Sequence, residues 1–281
     1  MSTLLVENSY GASRVRLVKV ARSPGRHTFK ELTVGVQFEG DFEKSFTAGE
    51  NANILPADTI KNTVYALAKL YSIEQIEEFA QTVIDHFLTD NPQVLRVIVE
   101  IAEQLWNRVS FGGKPHPSAF TPAGPEKRTT SVSGTRNSVS IESGIQDLVL
   151  LKTAGAGFEG YRRDPFTTLQ SSADQVLATS VNARWRYADT EITFGTYWHG
   201  IRETILETFI EHESRSLQHT SYVMGEAVLE RYHDILEISL SLPNRGWVPA
   251  ELSKLGLENE NDVFIPLDEP HEMIQARVRR G

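Results

Sequence analysis

The chain changes its hydrophobic period in the same order twice, and this doubling limits the folds open to it more than any single motif. In the first pass, apolar and charged residues alternate from Arg14 to Val20 and again from Leu32 to Phe38, as half-buried strands do. A helical period follows from about Asp58, with Ile60, Val64, Leu67 and Leu70 on one face. A second runs over 73–88 with Ile76, Phe79, Ala80, Val83, Ile84 and Phe87 as its stripe. Period two returns over 94–106 and 127–133. In the second pass, strands are expected at 138–141 and 148–152, then a Gly-rich loop at 155–160 and a stretch over 165–177 that reads as helical at its end. A strand at 181–187, helices at 204–212 and 218–232, and strands at 235–242, 263–265 and 274–278 complete it. Two copies of strand, strand, helix, helix, strand, strand predict an α+β protein with antiparallel sheets, in halves 1–136 and 137–281, over alternating β-α units. Helices on one face of each sheet would leave the other face apolar. Such sheets are expected to close or stack against further subunits, giving an oligomer.

Composition enters as a set of exclusions. The 281 residues are 40% hydrophobic and 23% charged, which supports a folded core. A net charge of −9 argues against nucleic acid as a partner, because phosphate binding wants a basic surface. The absence of cysteine removes disulfides, thiol nucleophiles and Cys-ligated zinc. No run is long enough to span a bilayer, and residues 1–7 lack the basic region and apolar run of a signal peptide, so a cytoplasmic protein without a membrane partner is expected. His212 beside Glu213, and His219, lack metal-ligand spacing, so no metal is expected.

The stretch 55–65 carries the clearest helix start. Pro56 restricts the chain and Asp58 offers a short carboxylate that can cap free N–H groups; the same N–H groups could instead receive an electron-rich ligand. His116, between prolines in the loop 112–117, is a candidate base if that loop folds over a pocket. Gly155-Ala156-Gly157 reads as a turn, since the spacing to Gly160 is wrong for a phosphate loop and no lysine follows. Trp106, Trp185, Trp198 and Trp247 read as packing residues.

Several motifs in this order resemble the uricase family, the cofactor-independent urate oxidases. They are Tyr10-Gly11 with Val15-Arg16-Leu17, the run from Asp58 to Tyr65, Lys114-Pro115-His116-Pro117, Leu151-Lys152-Thr153 and Phe158-Glu159-Gly160-Tyr161. Thr167-Thr168-Leu169, Leu217-Gln218-His219-Thr220 and Ser241-Leu242-Pro243-Asn244 complete the series. The resemblance implies the tunnelling fold, with two ββααββ units per chain, a homotetramer, ligand sites at subunit interfaces, and no metal or flavin cofactor. It implies that Phe158 stacks on a purine-like ligand, that Gln218 and the Leu217 N–H read its edge, and that Ile274 forms a wall. Asn244 would hold water or dioxygen above the ring, and the Ala57 and Asp58 N–H groups of a neighbouring subunit would complete the cradle.

The resemblance also exposes losses. Where the family uses a lysine, a threonine and a histidine to relay protons, this chain has Ala12, Ala57 and Gly246. Gln175 stands where the family has a substrate-clamping arginine, and Ser118 where many relatives have a histidine. Alanine and glycine carry no proton, and an amide cannot give an anion the bidentate charged contact of a guanidinium. Trp247 is a candidate to fill the space at Gly246. The expectation is a pocket repurposed for a related heterocycle, with an inactive binding or structural partner and conventional urate oxidation with dioxygen as the alternatives.

Overall fold

The structure, a computed structural model, describes residues 3–267 and 272–281. The chain forms two compact units, residues 1–144 with 189–195, and residues 145–188 with 196–281.

In the first unit β1 (Tyr10–Ser23), β2 (Arg26–Gly40), β3 (Val94–Phe111) and β4 (Lys114–Thr135) pair antiparallel in that order. Between β2 and β3 lie α1 (Glu43–Ala48), α2 (Ala57–Leu70) and α3 (Ile76–Asp90). The two expected helices are α2 and α3. The short α1 lies in a stretch where no element was expected, because it buries no residue and therefore has no apolar stripe to read. The expected loop at 112–117 shrinks to a turn at Gly112-Gly113, with φ of 59° and 75°. The arms pair right up to that turn, Phe111 against Lys114 and Ser110 against Pro115, so His116 belongs to a strand.

Leu32, Val34, Val36 and Phe38 lie opposite Glu103, Ile101, Val99 and Val97 and are buried with them. Phe79, Val83, Ile84 and Phe87 of α3 are buried in the same unit, and a Cβ at Gly134 would stand 2.6 Å from Ile84 Cγ2, so glycine lets α3 close on β4. Thr33, Gln37, Arg96, Glu100, Lys127 and Ser131 share the opposite face by the same alternation. The expectation of an apolar second face is therefore corrected. Strict period two makes one face greasy and the other polar, so covering the first leaves a hydrophilic surface.

One buried polar set escaped the pattern. Glu77, in the first turn of α3, is fully buried; its Oε2 lies 2.6 Å from Arg128 Nη2, and Ser143 donates to its other oxygen. Arg128 Nη2 also donates to Gln75 Oε1 at 2.9 Å. A buried pair of this kind fixes the entry of α3 onto β4, because losing either partner strands a charge.

The second unit takes up the later part of β5 (Val139–Lys152) and adds β6 (Leu177–Tyr187), α4 (Phe194–Glu211), α5 (Leu217–Arg231), β7 (Ile235–Ser241), β8 (Trp247–Pro249), β9 (Phe264–Pro266) and β10 (Gln275–Arg279). Its sheet runs β5-β6-β7-β10, with β8 and β9 forming a separate pair. The two strands expected at 138–141 and 148–152 are one, carrying Asp147 at φ 59° between them. No helix forms over 165–176. Asp164 accepts from the Phe166 N–H and the Thr167 hydroxyl, a local turn that competes with helix, and Ser172 is drawn into a bridge with Phe158.

Trp185 opposes Ile238, and Ala183 opposes Leu240, on the buried face; Gly225 of α5 would place a Cβ 2.7 Å from Val278 of β10, so α5 needs glycine there. The other face is again polar. Glu237 accepts from Arg277 Nε and Nη2 at 3.1 and 2.7 Å on one oxygen, and Arg186 stands 3.4 Å away. The Arg277 hydrogen bonds hold the Glu237 carboxyl below the usual carboxylate range. Among the described residues no helix is long and apolar enough to cross a membrane.

Candidate functional site

In the first unit, Tyr10 and Gly11 set where Ala12 lies. The Tyr10 ring packs edge-on against Phe38 and Phe42, with centroids 5.6 and 4.7 Å away, and its hydroxyl accepts from the Leu55 N–H at 2.9 Å. A Cβ on Gly11 would meet the Val36 carbonyl oxygen at 1.9 Å, so only glycine allows β1 this close to β2. Ala12 pairs with Val36 and is followed by a register shift before Val15, with Arg14 at φ 58° in the bulge. The Tyr10–Leu55 bond thus ties the strand bearing Ala12 to the segment that opens α2.

The start of α2 corrects one expectation. The N-cap is Pro56, with no side-chain cap, and Asp58 sits inside the first turn. Its carboxylate is taken by Lys61 and, at 2.9 Å, by the Asn62 amide. The Lys61 hydrogen bond holds that carboxyl below its ordinary range. Asp58 therefore does not cap, and the exposed first-turn N–H groups of Ala57 and Asp58 carry no side-chain cap. His116 is exposed on the β3–β4 hairpin, its carbonyl held by Arg108 at 2.8 Å; Ser118 is exposed beside it.

In the second unit a chain of backbone bonds gathers most of the remaining candidates. The Asp174 carboxylate accepts from the Gly155 and Ala156 N–H groups at 2.8 and 3.3 Å, and Gln175 N–H donates to the Ala156 carbonyl at 2.6 Å. Gly157 N–H donates to Ser214 at 2.8 Å, and Phe158 N–H to Ser172 at 2.8 Å. A Cβ at Gly157 would lie 2.6 Å from the Ala173 carbonyl oxygen, so this close threading requires glycine. The segment expected as a simple turn is a strand-like bridge clamped between 172–175 and Ser214. That clamp fixes the backbones of Phe158 and Gln175 on one side, and on the other leads through Ser216 to Leu217 and Gln218 at the head of α5. Ser216 caps that helix through the His219 N–H at 3.1 Å. Leu217 and Ile274 are buried. Tyr161 covers one face of the half-buried Phe158 ring, stacked at 5.0 Å and 9°, and the Arg163 guanidinium lies over Tyr161.

Asn244 is held from two sides. It forms an isolated antiparallel bridge with Thr179, while Arg245 N–H donates to Ala178 at 2.9 Å. Its amide donates to Glu272 Oε2 at 3.0 Å, and the Gln218 amide approaches Glu272 Oε1 at 3.5 Å. Sequence reasoning missed Glu272, whose partners lie 28 and 54 residues away in the chain. Only the strand pairing could have found it. Gly246 is corrected in one respect: Leu267, not Trp247, takes the space, since a Cβ at Gly246 would lie 2.7 Å from Leu267 Cδ1. Trp247 instead opens β8 opposite Pro266.

His212 and His219 meet edge-on at 4.8 Å. Burial first, then the neighbouring His219 and Lys152, push His212 below its ordinary value. Among the described residues no group of three His, Cys, Asp or Glu side chains could hold a metal ion. A cavity of about 380 Å³ in the first unit, lined by Leu67, Tyr71, Thr82, His86 and Asp90 among others, contains none of the candidate residues.

Two ββααββ-ordered units with antiparallel sheets define a protein of the tunnelling fold. The uricase family model matches residues 8–133 and 141–275. The uricase of Arthrobacter globiformis is 39% identical over 277 residues, covering 99% of this chain and 90% of the relative; that of Danio rerio is 36% identical, covering 98% and 94%. The crystal structure of the Arthrobacter enzyme superposes with a TM-score of 0.94 at 38% identity over 100% of this chain and 96% of that one. A urate oxidase from Bacillus sp. TB-90 gives 0.83 at 25% identity, covering 97% and 100%. The chain belongs to the uricase family.

Proposed function

We propose that this chain binds a purine-like heterocycle on the family's ligand cradle and has given up the proton relay of urate oxidation. Phe158 supplies the stacking face, Gln175 and Gln218 read the edges, and Asn244 stands where dioxygen or water is held. Leu217 offers its N–H, Ile274 a wall, and the Ala57 and Asp58 N–H groups of a second subunit close the site. No cofactor takes part. The working form is a cytoplasmic homotetramer built from the repeats 1–136 and 137–281.

The observation that carries this reading is a contrast within one region. The backbone that sets Phe158, Gln175 and Gln218 is clamped by bonds and a required glycine, whereas the space at Gly246 is occupied by Leu267. Ala12, Ala57 and Gly246 have no proton to carry, and general acid–base groups contribute roughly 10²–10⁴-fold in rate.

The test pairs urate consumption, followed by absorbance beside a working uricase, with titration of urate and neutral purines. The expected result is purine binding without urate turnover, and loss of that binding in Phe158→Ala, because stacking on a ring face supplies much of the affinity. Turnover near the control would return the protein to conventional urate oxidation. Absence of any purine binding would leave it an assembly partner.

A further inference from the structure

We infer that Glu272 makes this cradle select heterocycles with adjacent N–H donors along one edge, of the guanine type, over anionic urate. This rests on the cradle reading above and adds a specificity-determining residue to it.

The placement follows from strand register. Gln275 pairs with Ser241, and the next bond links Leu242 N–H to the Ile274 carbonyl at 2.9 Å. Carrying that antiparallel register two residues further sets Glu272 opposite Asn244, where their side chains bond at 3.0 Å. The far end of the strand is anchored by Arg277 on Glu237. Glu272 is thus delivered by the sheet, and it is exposed.

A carboxylate only accepts hydrogen bonds, so both Asn244 and Gln218 must turn their NH₂ groups toward it. Their carbonyl oxygens are then left as acceptors. The result is an acceptor-rich edge of two carboxylate and two amide oxygens. Among the described residues both hydrogen-bond partners of Glu272 are neutral amides, which bring no positive charge to it. An anionic ring brought here meets a like charge, whereas a ring with neighbouring N–H groups can occupy the remaining lone pairs of the carboxylate in a bidentate, charge-assisted contact.

The probes are 9-methylguanine, 9-methylhypoxanthine (which lacks only the 2-amino donor) and urate, titrated by calorimetry into the full-length protein, Glu272→Gln and Phe158→Ala. The full-length protein is expected to prefer 9-methylguanine to each of the others by about tenfold or more. In Glu272→Gln that preference should collapse while hypoxanthine binding persists, and urate should gain. Equal binding of both purines, or a preference unchanged by Glu272→Gln, would overturn the role of Glu272 while the cradle stands. Binding of both purines undiminished in Phe158→Ala, or no purine binding at all, would overturn the cradle reading and this inference with it.

Discussion

Gly11 and Gly246 look alike in the sequence, two glycines in or next to the motifs that resemble the family, yet the structure separates them. At Gly11 a side chain would run into the Val36 carbonyl at 1.9 Å, part of a paired backbone that cannot yield. At Gly246 it would meet the tip of Leu267 at 2.7 Å, the flexible end of a side chain that can. The first glycine belongs to the architecture. The second abuts only a side chain that can move. At Gly134 and Gly157, as at Gly11, a Cβ would come within 2.6 Å of a neighbouring segment.

That comparison can be broken at its strongest point by refilling the site. Ala12→Lys, Ala57→Thr, Gln175→Arg and Gly246→His combined, with Leu267→Ala to clear space, should raise urate consumption at least ~10²-fold over the unmodified chain, since each restored acid–base group acts with the others. The same set without Leu267→Ala should fall short. No gain in either would mean that the scaffold too has moved away from this chemistry. A smaller effect sharpens the contrast. Gly11→Ala should cost about 2–3 kcal/mol in chemical denaturation, as overpacking against backbone does, and Gly246→Ala less than about 1 kcal/mol. Equal costs would erase the distinction.

The smallest effect concerns His212, whose Nε2 is buried with no hydrogen-bond partner among the described residues. Its folded-state value lies below the ordinary 6.5, so the unfolded chain binds the proton more readily. Folding stability should therefore fall as pH drops below about 6.5, and the penalty should grow until the folded-state histidine itself titrates. In His212→Gln the thermal midpoint should lose that part of its pH dependence. An unchanged slope would show that the imidazole is solvated in solution.

Much of the fold was legible because it depends on period. The stripe of α3 and the alternation of β2 need only the local sequence and the rule that apolar faces leave water, so α2 and α3 were placed to within a few residues and the strands at their centres, the strands running well past the expected ends. What failed had non-local causes. The helical reading of 165–177 lost to a turn built on Asp164 and a bridge to Phe158; α1 had no buried face to advertise it; and a lone Glu77 gives no sign that Arg128 will meet it. For the candidate site, sequence resemblance supplied Phe158, Gln175, Gln218, Asn244 and the positions of Ala12, Ala57 and Gly246, whereas the local reading of the helix start gave Asp58 a capping role that Lys61 and Asn62 take away.

The sequence by itself determined the doubled α+β order, the family, and the identities Ala12, Ala57 and Gly246, because each of these is written in period or in residue identity. The tertiary structure alone decided what surrounds them. Leu267 reaches Gly246 across 21 residues, and Glu272 reaches Asn244 and Gln218 through a strand register that no local pattern specifies. Contacts between distant residues depend on how the chain pairs in three dimensions, which no local pattern records.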